Sequence, residues 1–166
     1  MQKKNILLLM SIFVFSGVFG FIYEELFYRI DLGYFVKRGT TFGPWIPIYA
    51  FGGIFIYLLT SKFKDKPYLV FIISSLISGV LEFATGYILL HTFNIRLWDY
   101  NVEILNYGNL YGFVCLRSIL FFGVSSIFLI YVVVPILKKF KNKYTILPLF
   151  TLFILDIIIS NLLKML

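Results

Sequence analysis

Five long apolar runs, separated by short polar segments, dominate this sequence. They cover residues 5–23, 44–60, 68–90, 114–137 and 145–163. An α-helix needs about 20 mostly apolar residues to cross a bilayer. The sequence is 60% hydrophobic and only 14% charged, whereas a soluble domain averages about 25% charged residues. We therefore predict an all-α polytopic membrane helix bundle with about five transmembrane helices, forming a single integral membrane domain over residues 1–166.

The second run, 44–60, is the weakest of the five. It contains four residues that disfavour a helix interior: Pro44, Pro47, Gly52 and Gly53. Because such residues destabilise helices, a short or re-entrant helix is the alternative to a full span. The first run, 5–23, also carries features of a signal peptide, but its apolar core exceeds the usual length of about 7–15 residues. We predict that it is retained as the first helix.

Basic residues predict the orientation of the chain, because cytoplasmic loops carry an excess of Lys and Arg. With a cytoplasmic N-terminus, the cytoplasmic side holds Lys3, Lys4, Lys62, Lys64, Lys66, Lys138, Lys139, Lys141 and Lys143. The opposite side holds the smaller set of Arg29, Lys37, Arg38, Arg96, Arg117 and Lys164. This bias predicts a cell-membrane protein with its N-terminus inside and its C-terminus outside. The net charge of +7 is then explained by topology and anionic lipid rather than by nucleic-acid binding.

Segment 36–53 brings polar, Gly and Pro residues to the start of the second run. Arg38 and Thr41, together with backbone N–H groups at a helix start, would form an anion-binding corner. The alternative is a turn leading into a proline-initiated helix, with Trp45 and Tyr49 in the aromatic belt of the membrane. Both interpretations predict an interfacial loop. Since irregular backbone at membrane depth occurs only under protein or beside a cavity, the segment indicates a candidate site.

Glu82 is the clearest ionisable residue inside an apolar run, where a charge is costly and usually faces the bundle interior. At a rise of about 1.5 Å per residue it lies about 20 Å along the third helix, in the outer half of the bilayer. Ser75, Gly79 and Gly86 share its helix face at spacings of three or four residues. This small, polar stripe favours close packing against another helix.

Charged residues at the ends of two other runs are expected near the same depth. Glu24 directly follows the first run and Arg117 lies near the start of the fourth, so with Glu82 they would place one cation between two carboxylates. Asp156 lies nearer the midplane and either joins this set or faces another helix. The alternative is a purely structural role, in which these charges pair to fix helix order. Glu25 lies about 100° around the helix from Glu24 and is predicted to face headgroups or solvent.

The second long outer loop, 91–113, contains the triplet Trp98, Asp99 and Tyr100. Asp99 is predicted to approach either Arg38 or Arg96, whereas the two aromatic residues fit an interfacial belt. His91 is the single histidine and the chain has one cysteine. We therefore predict no metal site and no cofactor.

Several motifs, taken in order, resemble those of a known family. Residues 20–24 (GFIYE) look like its G-W-x-x-E motif, and residues 36–53 look like its N-R-G-x-x-x-G-P-x-x-P-I-Y-G-x-G signature. Glu82, the triplet 98–100 and segment 109–116 (N-x-x-G-x-V-C-L) follow in the same order. The chain thus resembles the putative ABC-transporter type IV permease family, also called CmpB-like, over most of its length.

This resemblance implies a multispanning protein of the bacterial inner membrane, of the permease type. Four positions depart from the family pattern: Phe21 replaces a common Trp, Lys37 a common Asn, Ala50 a common Gly, and Phe113 a frequent basic residue. Arg117, one helical turn after Phe113, is positioned to supply that missing cation.

The leading functional hypothesis is a permease component whose outward-facing cavity binds a small polar or lipid-derived ligand. The residues predicted to form the site are Glu24, Arg38, Thr41, Tyr49, Glu82, Asp99, Asn109 and Arg117. The sequence contains no G-x-x-x-x-G-K-[ST] phosphate loop, so transport driven by ATP would need a separate ATPase subunit. The other expected partners are membrane lipids and, as an open option, further copies of the chain. Two alternatives stay open: an intramembrane enzyme acting on a lipid or envelope precursor, and a non-catalytic membrane scaffold subunit.

Overall fold

The computed structural model describes residues 3–140 and 142–165, and no β-strand occurs among them. The helices are α1 (Lys3–Leu32), α2 (Pro47–Thr60), α3 (Pro67–Phe93), α4 (Leu116–Phe128), α5 (Val134–Phe140) and α6 (Lys143–Met165). Four described segments are long and apolar enough to cross a membrane: Ile6–Leu32, Pro67–Phe93, Leu116–Phe140 and Lys143–Leu163. The predicted all-α polytopic fold is confirmed. Of the basic residues used for orientation, Lys141 and the side chains of Lys3, Lys4 and Lys164 lie outside what the structure describes.

Helix α2 is short, which agrees with the prediction of a short or re-entrant helix and not with that of a full span. It has 14 residues, which at 1.5 Å per residue reach about 21 Å, whereas the hydrocarbon core is about 30 Å thick. Pro47 begins the helix, where its missing N–H costs nothing and its fixed φ suits the first turn. Residues 33–46 before it form an irregular loop.

Helix α1 continues well past its predicted end. The first span was predicted to end with its apolar run at Tyr23, but the helix runs to Leu32. Gly33 ends it with a φ of +82°, and its N–H donates to Arg29 O at 3.1 Å. The prediction was wrong because the stop was placed where charge begins, whereas the first residue that favours a left-handed helix end is Gly33.

The fourth span is continuous but not uniformly α-helical. Five π-helical residues, Leu129–Val133, join α4 to α5. Pro135 follows them and has no N–H to donate to the preceding turn, while its ring crowds the carbonyl four residues earlier. Widening the preceding turn relieves that clash, which accounts for the π segment at this position.

The chain divides into two compact units. The first contains residues up to Phe55 and residues from Val132 onward, and the second contains Ile56–Tyr131. In the first unit, α1 packs on α6, and the Phe153 ring stacks on the Trp45 indole with their centroids 4.7 Å apart. Trp45 is therefore a buried core residue, not a member of an aromatic belt at the membrane interface.

In the second unit, α3 packs against α4 along the predicted stripe of small residues. A Cβ atom added to Gly79 would lie 3.2 Å from the Ile119 side chain. Across from Ser75, a Cβ on Gly123 would overlap the serine hydroxyl and lie 2.7 Å from the Phe71 ring. The stripe is thus a close helix–helix contact, which small residues permit.

Candidate functional site

The loop before α2 is held by a carboxylate of α6. Asp156 accepts hydrogen bonds from Phe42 N at 3.0 Å, from Gly43 N at 2.7 Å and from the indole Nε1 of Trp45 at 2.7 Å. Both carboxylate oxygens take part. The backbone N–H groups that the sequence offered to an external anion are therefore bonded to an internal one, and Asp156 faces this loop.

Thr41 and Tyr49 occupy packing positions beside this loop. The Thr41 hydroxyl is buried and donates to Trp45 O at 2.7 Å. The Tyr49 ring lies on Gly20, where a Cβ atom would overlap it. Both contacts fix the entry of the chain into α2.

Glu24 forms an ion pair with Arg38 near the end of α1. Arg38 Nε lies 3.0 Å from Glu24 Oε2, and its guanidinium carbon lies 3.7 Å from the centroid of the Tyr28 ring. The backbone N–H of Arg38 donates to Glu25 Oε1 at 3.0 Å. Glu25 was predicted to face headgroups or solvent, but its carboxylate contacts the backbone of the loop.

Glu82 is the centre of the polar cluster in the second unit. Its side chain is buried in α3, with the residue 6% exposed, and its Oε1 accepts a hydrogen bond from the Tyr100 hydroxyl at 2.6 Å. Ser118 is a further polar neighbour, but its hydroxyl donates to Cys115 O at 2.8 Å. Among the described residues no donor satisfies the second oxygen, Glu82 Oε2.

Arg117 pairs with a carboxylate that the sequence did not single out. Its Nη2 lies 2.5 Å from Glu103 Oε2, its Nη1 donates to Ile104 O at 2.8 Å, and its guanidinium lies over the Tyr100 ring with 5.3 Å to the centroid. Glu103 is buried. Arg117 is therefore bonded to the loop that also contributes Tyr100.

Burial and the nearby Glu82 carboxyl raise the pKa of Tyr100 well above its usual value. The phenol consequently stays protonated at neutral pH and acts as a hydrogen-bond donor. The hydrogen bond from the Tyr100 hydroxyl therefore fixes the position of Glu82 Oε1.

Asp99 pairs with Arg96, one of its two predicted partners. It also accepts hydrogen bonds from the Asn101 backbone N–H at 3.0 Å and from the Asn101 side-chain amide at 2.7 Å. Burial would raise the pKa of Asp99, but the donors of Asn101 and Arg96 outweigh that effect and lower it. Asp99 is thus an ionised residue that shapes the loop.

Asn109 and Gly112 close the same loop. Asn109 donates to Asn101 Oδ1 at 2.7 Å and accepts from Gly112 N at 2.8 Å. Gly112 has a φ of +78°, and a Cβ atom there would lie 2.5 Å from Asn101 Nδ2 and 2.9 Å from Arg96 Nη1. Only glycine fits this position without strain or displacement of the network.

Aromatic residues cover the helix face next to Glu82. Gly86, one turn further along α3, lies under Phe113, and a Cβ atom on it would be 2.8 Å from that ring and 3.3 Å from Trp98. The indole Nε1 of Trp98 donates to Phe113 O at 2.9 Å. The loop 94–115 therefore packs an aromatic cover onto the end of α3, which keeps Glu82 buried.

The eight predicted site residues fall into two groups. Glu24, Arg38, Thr41 and Tyr49 lie in the first unit, and Glu82, Asp99, Asn109 and Arg117 lie in the second. Sequence reasoning missed Glu103, and it interpreted Tyr100 only as an interfacial aromatic. A signal for Glu103 was available, since it is an acidic residue between the apolar Val102 and Ile104.

The second cluster combines a carboxylate that has an open oxygen, a neutral phenol and a balanced ion pair. Two carboxyl groups, Glu82 and Glu103, face one guanidinium, so the cluster has an excess of negative charge when both are ionised. No group of three or more His, Cys, Asp or Glu suited to a metal ion occurs in the described part of the chain. The chemistry of the second cluster therefore suits hydrogen bonding to a small polar group.

A protein-family model described as "Putative ABC-transporter type IV" matches residues 11–164 of this chain. The matched span includes all eight predicted site residues, in both groups. No curated protein and no solved structure matches the chain.

Proposed function

Because the chain belongs to the "Putative ABC-transporter type IV" family, we propose that it is a permease component that binds a small polar or lipid-derived ligand at Glu82. Its four long apolar helices make it a multi-pass membrane protein. The bias of basic residues supports an N-terminus inside, which would place Glu82 and the loop 94–115 toward the outer face.

A single observation supports the choice of Glu82. Its Oε2 atom is buried, and no donor in the described ranges reaches it. Leaving a buried carboxylate oxygen unsatisfied is costly, and an ionisable residue within a span is a functional-site hypothesis by default. A ligand that donates a hydrogen bond would remove that cost.

The other predicted residues of the second unit support binding indirectly. Arg117 fixes the loop through Glu103, while Asp99 and Asn109 fix its turn. In this proposal they position Tyr100 over Glu82, and Glu82 contacts the ligand. Glu24 and Arg38 form a charged pair whose contribution to a ligand site stays a prediction.

Ligand binding is favoured over the enzyme alternative by the state of Tyr100. The group bonded to Glu82 is a phenol whose raised pKa keeps it protonated, and so a hydrogen-bond donor, at neutral pH. A carboxylate held by a neutral donor is suited to recognition.

A stability screen tests the ligand site. Purified wild-type protein, Glu82→Gln and the control Asp65→Asn would be heated with inorganic phosphate, glycerophosphoethanolamine, ethanolamine, choline and single amino acids. Asp65 is exposed, so its variant removes a charge away from the cluster. We expect at least one probe to raise the apparent Tm of wild type and Asp65→Asn but not of Glu82→Gln. If every stabilising probe acts equally on Glu82→Gln, or if none stabilises wild type, the proposal is contradicted.

The partner proposal needs its own experiment. We propose that a separate ATPase subunit associates with this chain, as its family suggests. Tagged protein would be purified from native membranes and its partners sequenced by mass spectrometry. We expect a partner with a G-x-x-x-x-G-K-[ST] loop whose ATP hydrolysis changes on association. A preparation without such a partner, or with one whose hydrolysis is unaffected, would contradict association.

A further inference from the structure

A row of buried polar side chains follows one face of α3 from Glu82 toward Pro67. Ser74, Ser78 and Glu82 recur at intervals of four residues, and all three are buried. Residues spaced by four lie on the same face of a helix. Ser75 lies beside this row and is also buried.

Two members of the row, and Ser75 beside it, have an unsatisfied polar atom. Ser74 Oγ and Ser75 Oγ, like Glu82 Oε2, are buried and have no hydrogen-bond partner within the described segments. A serine in a helix can usually bond the carbonyl of the preceding turn, as Ser11 does with Leu7 O at 2.8 Å. The open hydroxyls are therefore concentrated on the helix face that also carries the open carboxylate oxygen.

Helix α4 covers this row with small and hydroxyl-bearing residues. Gly123 lies against Ser75, Ser118 adjoins Glu82, and Ser126 is buried on the same helix. The row thus runs through a tight interface between two helices. Successive members are about 5–6 Å apart along the helix face, which is about the length of two hydrogen bonds through one water molecule.

The titratable and charged groups that face Glu82 come from the loop and from α4. The loop contributes Tyr100 and Glu103, and α4 contributes Arg117. Since Arg117 is bonded to Glu103 at 2.5 Å, its charge is balanced by that carboxyl. Glu82 has a hydrogen bond from neutral Tyr100 and no direct cationic partner among the described residues, so a proton is the simplest group that would neutralise it.

A proton suits this row better than a metal ion. Ca²⁺ takes about six to eight oxygen ligands and Mg²⁺ about six, whereas the row offers one open carboxylate oxygen and isolated hydroxyls. A serine hydroxyl both donates and accepts, which is what proton transfer requires.

We propose that Glu82 is a proton-exchange site served by the serine row. When Glu82 releases its proton, the proton moves to a bridging water or the Ser78 hydroxyl, which passes a different proton onward toward Ser74 and Ser75. No bond other than O–H bonds is formed or broken. The inference deepens the proposed function because it concerns the same carboxyl, and it implies that occupancy of the ligand site is linked to proton uptake or release.

Infrared spectroscopy of the protein in lipid films tests this inference without any ligand. The spectra of wild type and Glu82→Gln would be subtracted as the pH is lowered and again after transfer to D₂O. We expect a protonated-carboxyl band in wild type that Glu82→Gln lacks and that shifts promptly in D₂O. In Ser78→Ala and in the double variant Ser74→Ala with Ser75→Ala, the band should remain but shift several-fold more slowly.

Two control variants separate the serine row from general effects on folding. Ser160→Ala removes a buried helical serine outside the row and should leave the D₂O shift unchanged, while Ser78→Thr restores a hydroxyl and should restore the rate. Absence of a Glu82 carboxyl band at every pH would overturn the proton site. Equal shift rates in wild type and the serine variants would overturn the serine path. Neither result changes the outcome of the thermal-stability screen with small-molecule probes, so that screen tests the ligand site independently.

Discussion

Asp156 and Glu82 are both carboxylates within apolar helices, and each meets an irregular loop. Asp156 receives two backbone N–H groups and an indole N–H, so both of its oxygens are bonded. Glu82 receives one phenol hydroxyl, and its second oxygen has no donor in the described ranges. In our proposal, the number of satisfied oxygen atoms distinguishes Asp156, a structural anchor, from Glu82, which binds the ligand.

The largest expected effect is on the anchor. Asp156→Asn keeps one acceptor oxygen but turns an amide N–H toward groups that are themselves donors. We expect the free energy of unfolding to fall by about 3 kcal/mol, since buried donors lose their acceptor. Denaturant or SDS titration of the purified protein measures this. A loss no greater than that of Glu82→Gln would remove the distinction between the two carboxylates.

The next effect concerns the loop that covers Glu82. Gly112→Ala requires a left-handed φ of +78° and pushes a methyl group into Asn101, so we expect a loss of about 2 kcal/mol and faster proteolysis within the loop. Gly108→Ala is the matched control. Its φ is +65°, but the nearest atom to the added Cβ is 3.5 Å away. Equal cleavage rates for the two variants would show that the network around Gly112 does not hold the loop.

A smaller effect on stability is expected at the open carboxylate. Glu82→Gln keeps an oxygen that can accept from Tyr100, and it removes a buried charge, which offsets the lost interaction. We expect the free energy of unfolding to change by less than about 1 kcal/mol. The denaturant or SDS titration used for Asp156→Asn also measures this change. A decrease in the free energy of unfolding of about 3 kcal/mol or more would assign Glu82 a structural role.

The smallest effect is expected at the partly exposed pair of Asp99 and Arg96. Asp99→Asn should cost at most about 0.5 kcal/mol at neutral pH. Because the pKa of Asp99 is lowered from 3.8, its contribution is present above that value and disappears as the pH falls through the lower, folded-state pKa. Wild type and variant should therefore converge in acid, as unfolding measured across pH would show. If the difference in free energy of unfolding between wild type and Asp99→Asn grows as the pH falls, the lowered pKa of Asp99 is contradicted.

Much of the fold could be predicted from apolar runs, because lipid imposes a length and leaves the backbone few alternatives. The short α2 was foreseen from Pro47 and the glycines after it. The end of α1 was not, since hydropathy falls at Glu24 whereas the helix stops at Gly33. Two expectations stay predictions: the single domain over the whole chain, and the orientation with the N-terminus inside and the C-terminus outside.

The site was harder to predict for a physical reason. Glu82 was identified because a charge stands out in an apolar helix. Its partner Tyr100 and the Arg117 partner Glu103 come from an irregular loop, in which no periodicity reports which side chains face inward. Asp156 was placed near the bilayer midplane, but its three donors lie more than a hundred residues earlier in the chain, which no local pattern reveals.

The most direct test compares Glu82→Gln and Asp156→Asn in one experiment, by measuring the apparent Tm of each variant with and without the probe that stabilises wild type. We predict that Glu82→Gln keeps the wild-type Tm and loses the probe-induced increase, whereas Asp156→Asn has a lower Tm and keeps the increase. A Glu82→Gln protein that still responds to the probe, or an Asp156→Asn protein that melts like wild type, would contradict the assignment of one carboxylate to binding and the other to structure.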